Sequence, residues 1–381
     1  MYTRNVLKTG VLAGSLTLLA LALAACGSKE TGEAATASSP TATSTAPAPA
    51  AKTEIHWKLV TSWPKNFPGL GEAPEHFAEF VDKMSDGRLK IKVYGAGELV
   101  PALEVFDAVS QGTAEAGHGA AYYWKGKVPA AQFFSSVPFG LNAQEINSWI
   151  TYGGGMELWK SLYEPFGVVP MLGGNTGVQM GGWFNKEINS LDDLKGLKMR
   201  IPGLGGEVLQ RAGGTAVQLP GGEIFTALQT GTIDATEWVG PYNDLAFGLH
   251  KAAKFYYYPG WHEPGTALEF SFNKKALEAL PSDLQAIVET AARRVNQDML
   301  DEYTFRNNTA LEELVDTHHV IVKAFPADVL KALQGISEQA LKEMAESDPH
   351  IRKVYDSYET FRENVIKYHE ISEKSYINAR S

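Results

Sequence analysis

One thirteen-residue stretch occurs twice in this chain, and the repeat restricts the fold more than any other feature. Glu104-Val105-Phe106-Asp107-Ala108-Val109-Ser110-Gln111-Gly112-Thr113-Ala114-Glu115-Ala116 returns 119 residues later as Glu223-Ile224-Phe225-Thr226-Ala227-Leu228-Gln229-Thr230-Gly231-Thr232-Ile233-Asp234-Ala235. Each copy reads as an amphipathic helix that stops at a glycine and leads into a short strand. Two distant copies of one corner point to two similar α/β lobes and not to a solenoid. The chain before the first copy keeps the same rhythm. Residues 55–60 alternate as a strand, Ala73–Met84 has helical spacing, Leu89–Tyr94 alternates again, Val105–Ser110 is helical, and 114–119 is a strand of small residues. Strands alternating with helices predict parallel pairing within α/β units.

Later segments fit the same plan. Ser190 or Asp192 can cap a short helix that Gly196 ends, and 197–201 follows as a strand. Residues 175–184 read as a buried strand presenting polar groups at one end. From Pro281 and Ser282, helical spacing persists to Leu314, a rod of ~45 Å that is long enough to brace two lobes. After Pro349, apolar residues Ile351, Val354, Tyr358, Phe361, Val365, Tyr368 and Ile371 form a helical stripe. That stripe has to be buried on its own lobe or on a partner subunit. The expected organisation is a first lobe over 53–170, joined by part of 241–281, and a second over 171–240, joined by part of 282–345. A C-terminal helix over 346–381 completes it as a dimerisation element.

The N-terminus reads as an address. Arg4 and Lys8 precede an apolar run that ends at Leu23-Ala24-Ala25-Cys26, which resembles a bacterial lipobox. Residues 1–25 are therefore expected to be a signal peptide and Cys26 to carry lipid. Residues 26–52, rich in Ala, Thr, Ser and Pro, would form a flexible tether at a membrane surface. This places the protein outside the cytoplasm as a periplasmic, membrane-anchored lipoprotein, a setting that disfavours ATP- or NAD-dependent enzymes. Cys26 is the chain's single cysteine, which excludes a disulfide framework. The net charge of −10 argues against nucleic-acid partners.

Chemistry concentrates at a few corners. Glu237 and Trp238 follow the strand of the second repeat copy, and ligands of open α/β sheets bind beyond such strand ends. A carboxylate there is a hydrogen-bond acceptor, a metal ligand or an ion-pair partner. Glu263 lies in a second tight corner, Pro259-Gly260-Trp261-His262-Glu263. Two carboxylates with amide oxygens suit a hard cation such as Na⁺ or Ca²⁺, and not zinc, while the lone His262 reads as structural. Arg200, beside Gly203, Gly205 and Gly206, offers a planar fork for a carboxylate. Asn175 and Gln179 supply amides, and Trp63 and Tyr122-Tyr123-Trp124 supply aromatics at strand ends. Gly203-Leu204-Gly205-Gly206-Glu207-Val208 lacks the third glycine of a dinucleotide loop, and there is no Gly-x-Ser-x-Gly elbow.

Gly196-Leu197-Lys198-Met199-Arg200, the run 231–241 and Tyr256-Tyr257-Tyr258-Pro259-Gly260-Trp261-His262-Glu263 together make a specific likeness. From about Ile55 onward the chain resembles the extracytoplasmic solute-binding proteins of tripartite ATP-independent periplasmic (TRAP) transporters, in the branch that binds 2-oxo acids or lactate with a metal ion. The resemblance implies a two-lobed periplasmic-binding-protein-like α/β fold with hinge strands, a long bridging helix and a C-terminal helix that can swap between subunits of a homodimer. It implies that Arg200 grips the acid's carboxylate, with Gln179, Asn175, Tyr123 and Trp63 also lining the substrate site. It implies further that Gln179, Glu237, the Trp238 carbonyl and Glu263 surround a substrate-bridging Na⁺ or Ca²⁺. The implied role is non-catalytic capture of a small monocarboxylate for a membrane permease. The rival readings are a receptor for a dicarboxylate, sugar acid or aromatic acid without metal, an extracellular lyase using Glu237 and Glu263, and a signalling sensor.

Overall fold

The computed structural model describes residues 53–380; the expected signal peptide, Cys26 and the tether lie outside the described residues. Among the described residues eleven strands form two sheets: β1 (Ile55–Thr61), β2 (Leu89–Tyr94), β3 (Ala116–Gly119), β4 (Val168–Asn175), β5 (Gly182–Phe184), β6 (Lys198–Arg200), β7 (Thr215–Val217), β8 (Ala235–Thr236), β9 (Phe255–Tyr258), β10 (Ala267–Asn273) and β11 (Ile321–Ala324). The first sheet runs β2-β1-β3-β10-β4 and the second β11-β9-β5-β8-β6-β7.

The two repeat copies take equivalent places. In the first sheet β3 lies between parallel β1 and antiparallel β10; in the second, β8 lies between parallel β6 and antiparallel β5. Each copy's helix, Val105–Ser110 or Gly221–Gln229, precedes its strand. The fit is tight: a Cβ on Gly117 would stand 2.7 Å from Val105 Cγ1, so the strand of small residues lets its helix lie close. Parallel pairing holds for β1–β2, β1–β3, β6–β7, β6–β8 and β9–β11, whereas β4, β5, β9 and β10 pair antiparallel with one another or with the repeat strands. The chain crosses directly between the sheets twice, from β4 to β5 and from β9 to β10, and these four strands carry the antiparallel pairings; a third passage, from β10 to β11, runs through the long helix.

The expected strand over 175–184 is not continuous. Asn175 ends β4, 176–181 is a loop, and β5 begins at Gly182. Gly177 (φ +68°) and Gly182 (φ +114°) turn the backbone out of the extended form. The loop's main chain bonds instead to the second crossing: Thr176 N–H donates to Thr266 O at 3.0 Å and Gln179 N–H to Glu263 O at 3.1 Å.

The helix Ser282–Glu312 packs along β4 and touches helix Ala73–Met84 and helix Pro241–Phe247. It buries Val288, Ala292, Val295, Met299 and Tyr303. The C-terminal region forms helices Pro349–Ile371 and Glu373–Arg380, broken at Ser372. Ile351, Val354 and Tyr358 are buried within the chain, with Tyr358 Oη accepting from Leu141 N–H at 2.8 Å. The far end of the stripe, Tyr368 and Ile371, is 62% and 79% exposed. Among the described residues no helix is long and apolar enough to cross a membrane.

Candidate functional site

β6 and β8 run parallel with Arg200 opposite Thr236, so the chain emerges from both strands side by side. Glu237 N–H donates to Arg200 O at 3.2 Å, continuing the ladder one step beyond β8. Arg200 is 1% exposed and Glu237 fully buried. The guanidinium holds the Glu237 carboxylate through Nη1, which also donates to Glu237 O at 3.4 Å. Nε donates to Leu219 O at 3.2 Å and Nη2 to Tyr123 Oη at 3.3 Å, and the Trp238 ring centre lies 5.2 Å from the guanidinium carbon. Burial is the largest influence and lowers the Arg200 pKa; Glu237, Tyr123, Tyr122 and Glu263 together outweigh it and hold the group above the usual arginine range.

Gln179 and Glu263 come from the two crossings. Gln179 Nε2 donates to Glu263 Oε2 at 2.8 Å and reaches Thr176 Oγ1 and Thr266 Oγ1 at 3.2 Å, while Thr266 Oγ1 donates to Glu263 Oε2 at 2.5 Å. Burial, and then the Glu237 charge, pushes the Glu263 carboxyl up to about 7. Fixing the amide nitrogen of Gln179 leaves its Oε1 buried without a hydrogen-bond partner, and Glu237 Oε2 and both ring nitrogens of His262 are in the same condition. His262 Nε2 lies 3.5 Å from Glu237 Oε2. Ligand atoms of Glu237, His262 and Glu263 all lie within 4.8 Å of one another. Orphaned buried acceptors are rare because each carries a desolvation cost. Several at one place, beside two carboxylates, fit a cation.

The first sheet supplies an aromatic wall. Trp63, in the loop after β1, stands 5.9 Å from Tyr123 and 6.1 Å from Trp238, ring centre to ring centre. Trp63, Tyr122, Tyr123, Thr176, Gln179, Arg200 and Trp238 line a cavity of about 10 Å³, close to one water-sized sphere. Burial pushes the Tyr123 phenol up to about 12, so it stays a neutral donor-acceptor. Gly203 (φ +61°) faces this wall, and a Cβ there would sit 3.2 Å from Tyr122 Cβ. A much larger groove of about 710 Å³ lies between helices Ala143–Tyr152 and Ser282–Glu312, but it is open to solvent and lined by side chains such as Gln144, Tyr152, Glu289 and Gln297.

The structure therefore gathers Arg200, Gln179, Glu237, Trp238, Glu263, Tyr123 and Trp63 around one buried place. Asn175 stands one layer back: its Nδ2 donates to Gly265 O at 3.3 Å and its Oδ1 accepts from Gly177 N–H at 2.9 Å, so it ties the crossings together. His262, read from sequence as structural, has its ring beside Glu237. Two residues escaped the sequence reading. His118 Nδ1 accepts from Trp63 Nε1 at 2.8 Å, and its Nε2 bonds Gly173 O at 2.9 Å. Asp244 accepts from Val239 N–H at 3.2 Å, Trp183 Nε1 at 2.9 Å and Tyr256 Oη at 2.7 Å, which fixes the loop that carries Trp238. A signal for His118 was available: stepping back 119 residues from Glu237 lands on it.

Residues 59–348 match the model of the bacterial extracellular solute-binding proteins, family 7. A monocarboxylate 2-oxoacid-binding periplasmic protein of Nostoc sp. (strain PCC 7120) is 44% identical over 381 residues, covering all of this chain and 99% of its own. Two solved structures superpose with a TM-score of 0.84, each covering 86% of this chain. One is a TRAP periplasmic solute-binding protein from Pseudoalteromonas atlantica T6c with bound sodium and pyruvate, 44% identical and matched over 99% of its length. The other, from Colwellia psychrerythraea with bound calcium and pyruvate, is 43% identical and matched over its full length.

Proposed function

The chain belongs to family 7 of the bacterial extracellular solute-binding proteins, and from that premise we propose that it is the extracytoplasmic receptor of a TRAP transporter. It captures a small 2-oxo monocarboxylate such as pyruvate together with Na⁺ or Ca²⁺ and hands the acid to the membrane permease without turnover. The observation that carries this reading is the meeting of the Arg200 guanidinium with the unpartnered acceptors Gln179 Oε1 and Glu237 Oε2 in one buried place. Arg200 offers the acid two parallel charge-assisted hydrogen bonds. Gln179, Glu237, Glu263 and the Trp238 carbonyl would hold the cation, since Na⁺ and Ca²⁺ take oxygen ligands. The bound ion supplies positive charge to the acid's carboxylate and neighbouring oxygen. Trp63, Tyr123 and Trp238 exclude water, which strengthens each charged contact, and their closeness favours a short side chain. Asn175 supports the crossing segments behind the acid. Cys26 carries lipid and 26–52 serves as the tether, while the exposed end of the C-terminal stripe, with Tyr368 and Ile371, packs against a second copy.

The test is calorimetric titration of pyruvate, lactate, a dicarboxylate and an aromatic acid into apoprotein in Na⁺, in Ca²⁺, and in choline buffer with chelator. Pyruvate affinity is expected to fall at least about tenfold when the cation is removed, the worth of one lost charged contact. Cation-independent binding, or preference for a dicarboxylate, would overturn the proposal.

A further inference from the structure

We propose that Glu237 determines specificity by occupying Arg200, so that the site admits a carboxylate only when a cation enters with it. This rests on the reading of the site as an acid-and-ion receptor, and goes beyond Glu237 as an ion ligand. Glu237 is the one carboxylate that contacts Arg200 among the described residues. It holds Nη1, while Nε is committed to Leu219 O and Nη2 reaches Tyr123 Oη. An acid that is to take both nitrogens of the terminal fork must therefore take Glu237's place on Nη1.

The consequence follows from burial. Glu237 is fully buried, its second oxygen has no hydrogen-bond partner, and the groups nearest it are His262 at 3.5 Å and the Glu263 carboxylate. A carboxylate displaced into that corner exchanges a guanidinium for the His262 ring as its one potential donor and stands beside the Glu263 carboxylate, an unfavourable outcome for a buried ion. A cation among Glu237, Glu263 and Gln179 Oε1 removes the penalty by giving Glu237 a new partner. A cation arriving alone creates the mirror problem, because it draws Glu237 away and leaves Arg200, 1% exposed, without a counter-charge. Either ligand alone exchanges one buried pair for an orphan. Both together exchange one pair for two, Arg200 with the acid and Glu237 with the ion. The resulting coupling is reciprocal: each ligand raises the affinity of the other by the same factor.

Simple bridging of acid and protein by the cation also couples the two ligands, but it predicts a different mutant. In Glu237→Gln a neutral amide faces Arg200 and releases it more readily than a carboxylate does. Pyruvate titrated into this variant in choline buffer with chelator is expected to bind at least about tenfold more tightly than to wild type in that buffer, the worth of one charge-assisted hydrogen bond. Added Na⁺ or Ca²⁺ should change its affinity by less than about threefold, a residue of the lost coupling. Gln179→Met is the control: it removes an oxygen from the ion's corner but leaves Glu237 on Arg200 and Glu263 in place, so it should weaken the response to cation with no gain in ion-free binding. A folded Glu237→Gln that binds pyruvate no better than wild type without cation, or a gain shared by Gln179→Met, overturns the proposal. Should Glu237→Gln not fold, ¹⁵N-arginine NMR of wild type decides. The Arg200 side-chain resonance should stay put with Ca²⁺ alone or pyruvate alone at concentrations that together move it; movement with either alone overturns the exchange. Failure of the receptor reading looks different, since wild type would then bind no pyruvate in Na⁺ or Ca²⁺.

Discussion

Truncating Arg200 to alanine removes the acid's clamp and, at the same stroke, strands Glu237. Acid affinity is expected to fall more than about 100-fold, and the stability of the apoprotein by about 3–5 kcal/mol, because breaking a buried pair leaves an uncompensated charge. Calorimetry and urea unfolding check the two parts; retained micromolar binding of pyruvate would remove Arg200 from the site. His118 acts one step further back. Burial pushes its imidazole down to about 4, so near neutral pH it is an uncharged ring that accepts from Trp63 and donates to Gly173 O. His118→Phe orphans two buried groups at about 1–3 kcal/mol each and frees Trp63 to turn. The expected result is lower urea stability with a several-fold weaker pyruvate affinity, and unchanged affinity would show that Trp63 holds its place unaided. Arg200, Glu237 and Glu263 were legible in the sequence because a charged side chain at a glycine-rich strand end faces the crevice where α/β sheets bind ligands. The Arg200–Glu237 pairing was not, since the side-chain arrangement depends on β6 and β8 lying in register, 36 residues apart along the chain.

At the scale of elements, the repeat, the helix at Ala73–Met84 and the long helix from Ser282 were all visible as periodicity. What periodicity could not show was where chain direction reverses, because β4 and β10 read as ordinary apolar strands until they are paired. Their pairing buries Glu269 completely against neutral donors, with Tyr163 Oη at 2.8 Å and Trp124 Nε1 at 2.9 Å. Burial pushes this carboxyl up to about 8, against an ordinary value of 4.5. The folded chain thus keeps a proton that the unfolded chain releases, and the stability from this group is complete below pH 4.5 and lost as pH rises through about 8. His118 works in the opposite direction below 6.5, and the buried carboxyls of Glu263 and Asp244, each pushed up to about 7, act below that value, so the window from about pH 7 to about 8 is the one that reports Glu269. Glu269→Gln is expected to flatten urea stability across that window and to exceed wild type at its upper end by a few kcal/mol. An unchanged slope would place the proton elsewhere.

For the whole molecule, the decisive contacts cross the gap between the sheets. Asn243, in the helix after β8, donates through Nδ2 to Pro68 O at 2.9 Å and accepts from Tyr303 Oη on the long helix at 2.6 Å. Phe67 packs on Phe247 with ring centres 4.2 Å apart, and Lys125 Nζ donates to Gly203 O at 3.2 Å. None of these residues lines the cavity, yet all favour the closed arrangement. Asn243→Ala is expected to weaken pyruvate binding about 5- to 30-fold through faster release, because it removes about 1–2 kcal/mol from the closed form alone. Stopped-flow dissociation and small-angle scattering would check this; unchanged release with unchanged dimensions would count against a closing motion. The two crossings have a different character. Gln179 and Glu263 sit on segments stitched directly together by main-chain bonds from Thr176, Gln179 and Gly260, so the two direct crossings and the side-chain oxygens that Gln179 and Glu263 would offer a cation are held as one unit. Should the two sheets swing apart, Trp63 and Tyr123 are expected to depart with one jaw and the floor formed by Gln179 and Glu263 to stay where it was, ready-made for the next arrival.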